Sequence, residues 1–282
     1  MQTVIEVLKA VLQGVVQGIT EWLPVSSTGH LILVDRFLPF AFSAEFFDLF
    51  KVLIQLGSIL AVVVLFFGKL NPFARTKTVE QKRDTWGLWW KVIIASLPAM
   101  VVGLPLDDLV DGILSDTVVI IATLVIYGIL FIVMESRAHT PKFHTPNDVT
   151  WRTALFIGCF QVLALIPGTS RSGATILGAV LLGCSRYTAA EFSFFMAIPA
   201  MAGASALKVL KFMMADQTLT APEWLALVVG MVVSFVVSLL VIRFLMDFIK
   251  KHDFKVFGWY RIALGIVLAV LVAVGALESA IV

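Results

Sequence analysis

The segment QGITEWLPVSSTGH, residues 17–30, interrupts an otherwise apolar chain with a concentrated group of polar side chains. It contains an amide, a carboxylate, two serines, two threonines and an imidazole. Pro24 and Gly29 break any regular helix through the segment. Because irregular backbone and ionisable side chains are costly at membrane depth, such a segment predicts a functional site.

A second polar segment, PGTSRSGAT at residues 167–175, repeats this pattern of small and hydroxyl residues. Residues 23–29 align with residues 166–173 when one residue is inserted. We expect the two segments to meet inside the membrane and to form one anion-handling site.

The similarity continues beyond the polar segments. Glu45 precedes Gly57 by the same spacing that separates Glu191 from Gly203, and three apolar stretches follow in each half. This recurrence in the same order predicts an internal duplication whose boundary lies in the polar stretch 135–152.

The composition is that of an integral membrane protein. Of 282 residues, 60% are hydrophobic and 14% are charged, and the mean hydropathy is +0.98. Ordinary soluble domains contain more charged and fewer apolar residues. The net charge of +2 says little about partners, and the chain has no long basic run with interleaved aromatic residues, which argues against nucleic-acid binding.

Apolar stretches of about 20 residues are long enough to cross a bilayer as helices. Two further apolar regions, about 1–35 and 153–190, are interrupted by the polar segments, and we predict that each forms a re-entrant helical hairpin. The predicted fold is all-α and polytopic, with about six transmembrane helices. These spans are 46–67, 91–106, 117–134, 192–212, 224–242 and 261–281.

The distribution of basic residues predicts the orientation of the chain. Loops rich in Lys and Arg favour the cytoplasmic side of a membrane. Three spans per half force the halves into opposite orientations, so we predict one membrane domain, 1–282, built from inverted repeats 1–134 and 153–282. The predicted cytoplasmic loops are 68–91, 135–152 and 243–261 (the last counting Arg261), and the predicted external loops are 105–116 and 213–223.

The polar segments carry the groups that phosphoryl transfer requires. Gln17 and Glu21 share one face of a helix, while Ser27 and His30 are three residues apart across a glycine-containing turn. Arg171 lies between two serines where a helix would restart, and such a turn presents backbone N–H groups to an anion. Arginine binds phosphate through parallel N–H donors, and an imidazole can pass a proton near neutral pH. Together they offer positioning, charge neutralisation, a nucleophile and an acid or base.

Four strings carry a resemblance over nearly the whole chain: QGITE at 17–21, LPVSSTGH at 23–30, IQLGSILA at 54–61 and PGTSRSGATI at 167–176. The sequence resembles the undecaprenyl-diphosphatase family, the bacitracin-resistance phosphatases of bacterial inner membranes. The resemblance implies removal of the terminal phosphate of undecaprenyl diphosphate, on the external face and with a divalent cation, Mg²⁺ or Ca²⁺. The product is the lipid carrier for peptidoglycan and other envelope polymers.

The resemblance also implies roles for individual residues. The family's acidic pair falls on Gln17 and Glu21, and because Gln17 is an amide, Glu21 is the expected metal ligand beside oxygens of the substrate. One hypothesis is that Ser27 attacks phosphorus with His30 as base, and the rival is direct attack by His30. The implied catalytic residues are Ser27, His30, Glu21 and Arg171, and the implied substrate-binding residues are Gln17, Ser26, Thr28, Ser170, Ser172, Gly173 and Thr175.

Several of these features have structural alternatives. Glu21 and Arg171 could form a buried ion pair, and the small loop residues could serve close helix packing. Cys159 and Cys184 are expected to be small packing residues, because their spacing fits neither a disulfide framework nor a metal site. Solvated helix ends are expected at Glu45, Lys51 and Glu191, and a hydrated external loop, or a weak Ca²⁺ site, at Asp107, Asp108 and Asp111.

The expected partners are a polyprenyl diphosphate lipid and the bilayer, and a homodimer stays open. The alternative function is a transporter or flippase for a phosphorylated polyprenyl lipid, because inverted repeats with broken helices are typical of transporters. His30 beside Ser27 favours the phosphatase, since a carrier needs no proton shuttle.

Overall fold

A computed structural model describes residues 2–113, 116–137, 140–215 and 217–275, with the side chains of 104 and 106–113 outside the description. Within these ranges the chain is helical, and seven helices are long and apolar enough to cross a membrane. The prediction of an all-α polytopic membrane protein is confirmed.

The helices follow one another in the same order in the two halves. Each half has a first helix, a break, a short helix and then long helices. The first half contains α1 (Gln2–Thr20), α2 (Ser27–Phe37), α3 (Ala44–Leu65), α4 (Phe67–Leu70), α5 (Val79–Ile113) and α6 (Thr117–Ser136). The second contains α7 (Trp151–Val162) with a 3₁₀ turn (Leu163–Leu165), α8 (Arg171–Leu181), α9 (Arg186–Met214), α10 (Ala221–Phe248) and α11 (Lys255–Ala273).

The first helix of the chain is longer than predicted. Nineteen residues in α1 rise about 28 Å at 1.5 Å per residue, close to the thickness of the hydrocarbon core. The predicted sequence of helix, break and helix over 1–35 is present as α1, the break and α2. Helix α1 is also long and apolar enough to be a seventh candidate span, and the re-entrant path of this region stays a prediction. Polar residues such as Glu6, Gln13 and Gln17 hide this span in the sequence, but all three are buried within the protein.

Contacts between the halves join elements that occupy equivalent positions. Helix α1 packs mainly on α10, and α7, its counterpart, packs mainly on α5. Helix α3 packs on α9, and α6 packs on α11. Exchanging each helix with its counterpart in the other half therefore gives the same set of helix pairs. This packing brings the two polar segments together. The repeat boundaries and the opposite orientation of the halves remain predictions.

Small residues permit the closest of these approaches. A Cβ added at Gly14 of α1 would lie 2.7 Å from the carbonyl oxygen of Gly230 in α10. One added at Gly158 of α7 would lie 2.2 Å from the carbonyl oxygen of Ala95 in α5. Since real side chains do not approach backbone this closely, both first helices need glycine to reach their partners.

Several residues outside the polar segments differ from expectation. Glu191, expected at a solvated helix end, is fully buried and forms an ion pair with Lys69. The pairing explains the error, because a lysine from another helix allows a carboxylate to be buried. Glu45 is exposed, as expected, and Lys51 is partly exposed and pairs with Asp48 at 2.8 Å.

The two cysteines differ in environment. Cys184 is buried, and burial raises the pKa of its thiol to about 12. Cys159 is exposed on α7, so the expectation that it is a packing residue is wrong. Its helix presents that side away from α5 and the protein interior. The side chains of Asp107, Asp108 and Asp111 lie outside the described part of the structure.

Candidate active site

The two polar segments share an unusual backbone conformation. Among the described non-glycine residues, only Ser26 and Ser170 have positive φ, at 77° and 72°. Each serine caps the short helix that follows: Ser26 Oγ accepts from the N–H of Gly29 at 3.4 Å, and Ser170 Oγ from that of Gly173 at 3.1 Å. Such backbone is strained for residues with a Cβ and is concentrated at functional sites.

Arg261 fastens the two segments together. Its side chain is fully buried, and Nη1 donates to the carbonyl oxygen of Pro24 at 2.9 Å. Nη2 donates to the carbonyl oxygens of Gly168 and Thr169 at 2.7 and 2.9 Å. The sequence reasoning counted Arg261 among the charges of a cytoplasmic loop, and this is wrong. The residue belongs to α11, where backbone carbonyls of both segments replace water around its guanidinium.

Replacing Arg261 by methionine is expected to lower the apparent melting temperature of the detergent-solubilised protein by many degrees. Three buried carbonyls lose their donor, and each unsatisfied group costs about 1–3 kcal/mol. Differential scanning fluorimetry measures the effect. The matched control is Arg243→Met, because Arg243 is exposed on α10. Equal melting temperatures for both variants would show that Arg261 does not hold the segments.

Glu21 connects the nucleophile candidate to the arginine. Its Oε2 accepts a hydrogen bond from Ser27 Oγ at 2.8 Å and another from Gln17 Nε2 at 3.0 Å. Its Oε1 accepts from Arg171 Nη2 at 3.3 Å. Ser27 and Arg171, 144 positions apart in the sequence, therefore contact the same buried carboxylate.

The guanidinium of Arg171 is bonded to the protein through Nη1, while its Nε N–H has no acceptor among the described residues. Its Nη1 donates to the carbonyl oxygen of Ser193 at 2.8 Å, and its guanidinium lies 5.9 Å from the ring centre of Trp22. Its buried Nε has no acceptor among the described residues. An N–H of this kind can bind an anion that enters beside Glu21.

A cavity of about 190 Å³ opens where the two segments meet. Its polar side chains come from Glu21, Ser26, Ser27, Thr28, Gln55, Ser170 and Arg171. The rest of the lining includes Ala164, Ile166, Pro167 and Met201. Six of the residues predicted for the site thus face one cavity.

Other predicted site residues hold the loops instead. The hydroxyl of Ser172 lies 3.1 and 3.2 Å from the carbonyl oxygens of Glu21 and Leu23. The hydroxyl of Thr175 donates to the carbonyl of Arg171 at 2.8 Å and lies 2.6 Å from Ser193 Oγ. The predicted substrate-binding residues that the structure does not bring to the cavity lining are Gln17, Ser172, Gly173 and Thr175.

His30 does not pair with Ser27. Its Nδ1 lies 2.6 Å from the carbonyl oxygen of Ser26, and its Nε2 lies 2.6 Å from the hydroxyl of Tyr260. A carbonyl only accepts, so Nδ1 carries the proton, and Nε2 of the neutral ring accepts from Tyr260. Ser27 begins α2 and turns toward Glu21, whereas His30 turns toward α11. In the structure the Ser27 hydroxyl is therefore hydrogen-bonded to Glu21 and not to His30, and the catalytic role of His30 stays a prediction.

Three residues at or beside the site escaped the sequence reasoning. Tyr260 and Arg261 are adjacent in α11; Arg261 was counted as a loop charge, and nothing was predicted for Tyr260. Gln55 lies within an apolar span. An amide or a guanidinium inside such a span is the signal that could have found them.

Comparison of the sequence with known proteins places the chain in a family. Residues 10–267 match the model of the family described as "Bacitracin resistance protein BacA". The chain is 58% identical over 264 residues to the "Undecaprenyl-diphosphatase" of Lactiplantibacillus plantarum, covering 93% of this chain and 96% of that protein. It is 59% identical over 265 residues to "Undecaprenyl-diphosphatase 1" of Clostridioides difficile, covering 94% and 96%. For the "Undecaprenyl-diphosphatase" of Enterococcus faecalis the identity is 53% over 262 residues, covering 92% and 95%.

Proposed function

The chain belongs to the bacitracin resistance protein BacA family, and we propose that it is a membrane phosphatase converting undecaprenyl diphosphate to undecaprenyl phosphate and inorganic phosphate. The observation that carries the proposal is the position of Glu21, which contacts Ser27 of the first polar segment and Arg171 of the second in one cavity. Recycling of this lipid carrier for cell-wall synthesis, with bacitracin resistance, follows from the activity.

Ser27 is the nucleophile in this proposal. Its oxygen forms a bond to the terminal phosphorus, the bond from that phosphorus to the bridging oxygen breaks, and undecaprenyl phosphate leaves. Glu21 Oε2, 2.8 Å from the Ser27 hydroxyl, takes the proton. The oxygen of a water molecule then bonds to the phosphorus of the phosphoserine, the bond to the Ser27 oxygen breaks, and that oxygen takes back the proton held by Glu21. The water keeps one proton in the phosphate product and gives up the other to solvent. This step assigns to Glu21 the base role that the sequence suggested for His30.

Arg171 stabilises the charge on the transferred phosphoryl group. It lies at the first position of α8, where the helix dipole favours an anion. The buried N–H of Nε has no acceptor among the described residues, and in this proposal a phosphate oxygen of the bound substrate accepts from it. When phosphate enters, it competes with Glu21 for the guanidinium, which frees the carboxylate to act on Ser27.

His30 supports the first segment rather than attacking phosphorus. It holds the carbonyl of Ser26 and the hydroxyl of Tyr260, and it does not line the cavity. The phosphohistidine route would require the attacking ring nitrogen to give up its contact, with the Tyr260 hydroxyl for Nε2 or with the Ser26 carbonyl for Nδ1. The transporter alternative is not carried further, because the relatives are named as phosphatases and a carrier does not need the Ser27–Glu21 pair.

A divalent cation fits this site only together with the substrate. Among the described residues no group of three or more His, Cys, Asp or Glu could hold a metal ion, and Glu21 is the one carboxylate in the cavity lining. Mg²⁺ commonly binds through one or two carboxylates and phosphate oxygens. We propose that Glu21 holds Mg²⁺ or Ca²⁺ with the diphosphate, where the ion neutralises phosphate charge.

Removing divalent cations with EDTA is therefore expected to abolish phosphate release, and adding Mg²⁺ or Ca²⁺ to restore it. Because few protein ligands are present, cation affinity is expected to rise in the presence of a lipid diphosphate. Calorimetric titration with and without a non-hydrolysable diphosphate analogue measures this dependence. Equally tight binding in both cases would point to a site made of protein ligands alone.

The protein is a multi-pass membrane protein, and we propose that it resides in the bacterial inner membrane with its active site open to the external side. The basic loops predicted to be cytoplasmic support this orientation. A homodimer remains a prediction.

Phosphate release by the purified protein tests the function. The assay contains detergent, undecaprenyl diphosphate and Mg²⁺, and the expected result is one inorganic phosphate per undecaprenyl phosphate formed. Absence of release from folded wild-type protein would overturn the proposal. Retention of radioactive terminal phosphate on the lipid would do the same.

A further inference from the structure

Gln55 is a polar side chain without a partner at the site. It lies within α3, a candidate spanning helix whose charged residues Glu45, Asp48 and Lys51 lie nearer its start, and its half-buried side chain lines the cavity. Among the described residues, none forms a hydrogen bond with its amide. Because amides inside a membrane protein normally bond to a neighbouring helix or mark a functional site, Gln55 needs a partner from elsewhere.

Helix packing does not account for Gln55. The contact between α3 and α10 is made by other groups: Ser58 Oγ lies 2.5 Å from Ser234 Oγ, and Ser234 Oγ also donates to the carbonyl oxygen of Ile54 at 2.9 Å. The neighbouring turn of α3 thus bonds to α10 without the Gln55 side chain.

The position equivalent to Gln55 in the second half is Met201. Each lies ten residues after the glutamate of its repeat, Glu45 or Glu191. Both line the same cavity. The duplication therefore places an amide and a thioether at equivalent points of the two halves.

Both halves contribute polar groups to the cavity. The first half supplies Glu21 and Ser27, and the second supplies Ser170 and Arg171 beside apolar Ala164 and Ile166. The apolar residues can contact the start of a lipid's hydrocarbon chain.

We propose that Gln55 is a substrate-binding residue whose amide N–H donates to the lipid-side phosphate of the diphosphate. The inference rests on the proposed function, which assigns the terminal phosphate to Glu21, Ser27 and Arg171. Those three side chains form one hydrogen-bonded cluster, and Gln55 is not bonded to it. A second phosphate next to the cluster gives Gln55 the acceptor it lacks. Its hydrogen bond persists on the leaving group, so Gln55 holds both substrate and product.

The test compares ligands that contain the lipid-side phosphate with one that does not. For Gln55→Met, which installs the side chain of the equivalent position, the KM for undecaprenyl diphosphate is expected to rise about tenfold or more, the usual effect of losing a hydrogen bond to a charged group. The dissociation constant of farnesyl phosphate is expected to rise equally. The inhibition constant of inorganic phosphate, which occupies the terminal position, is expected to stay within about twofold of wild type.

Gln161→Met is the matched control. Gln161 is a buried glutamine of α7 that does not line the cavity, and its Oε1 also has no donor. It should leave all three constants unchanged. Should Gln55→Met fail to fold, Gln55→Glu keeps the shape, removes the donor and adds a negative charge, and should weaken farnesyl phosphate binding still more.

The outcomes separate this inference from the function on which it rests. Binding of farnesyl phosphate does not require turnover, so it reports on Gln55 even in an inactive protein. Wild-type affinity in the folded Gln55 variants would overturn the inference while leaving the phosphatase in place. An equal loss of inorganic phosphate binding would overturn it too, because Gln55 would then act at the terminal phosphate.

Discussion

Replacing Arg171 by alanine is expected to lower kcat for undecaprenyl diphosphate by about three orders of magnitude or more, the effect of removing an arginine that stabilises phosphoryl transfer. The guanidinium contacts Glu21 and lines the cavity, and no other Lys or Arg side chain contributes to that lining. The charge that develops on the phosphoryl oxygens would then lose the guanidinium that neutralises it beside Glu21. Initial rates of phosphate release at saturating substrate measure the change.

Two further variants separate catalysis from folding in this experiment. Arg171→Lys keeps a positive charge but lacks the planar pair of donors, so it should recover only part of the rate. Arg243→Ala, on the exposed side of α10, should retain full activity. All variants should show helical circular dichroism like that of wild type. An Arg171→Ala enzyme within tenfold of the wild-type rate would remove the arginine from the mechanism.

Replacing Ser27 by alanine is expected to reduce kcat by about three orders of magnitude or more, since removal of a covalent nucleophile costs at least this much in other hydrolases. Adding Glu21→Gln to the Ser27→Ala chain should not lower kcat further. If Glu21 acts mainly by taking the proton of Ser27, that task is lost with the hydroxyl, and residues acting as a unit show strong non-additivity. The rates are compared at saturating Mg²⁺, so that the cation Glu21 also holds stays bound.

The double-mutant cycle is measured with single-turnover rates, which exclude effects on product release. Ser136→Ala is the matched control, because Ser136 lies exposed at the end of α6 and bonds only to its own helix. Multiplicative losses from Ser27→Ala and Glu21→Gln would mean that the two residues act on different steps. That result would restore His30, or water, as the partner of Ser27.

Much of the architecture follows from local sequence. Long apolar runs predict most spanning helices, and Pro24 with the glycine-rich second segment predicts the breaks. Helix α1 was not counted among the six predicted spans because its polar residues lower the average hydropathy, although Glu6, Gln13 and Gln17 are buried within the protein. Hydropathy measures composition, whereas burial depends on which helix packs against which face.

Site residues within the two polar segments could be predicted from the sequence. Their partners outside the segments, such as Tyr260 and Arg261, could not. The meeting of Glu21 with Arg171 follows from the duplication and from opposite charge. The contacts of His30 with Tyr260 and of Arg261 with both segments join positions more than 90 residues apart. No local spacing indicates such pairs. Closeness in sequence suggested Ser27 and His30 instead, and their side chains leave α2 in different directions.

The most direct test of the account is acid quenching during the first turnover of undecaprenyl diphosphate labelled in its terminal phosphate. Phosphoserine survives acid and phosphohistidine does not, so peptide mapping can locate the label. We expect the quenched protein to carry acid-stable phosphate on Ser27, and Ser27→Ala to carry none. Acid-labile phosphate on His30, or release of phosphate with no covalent protein species at any time in the turnover, would contradict the mechanism.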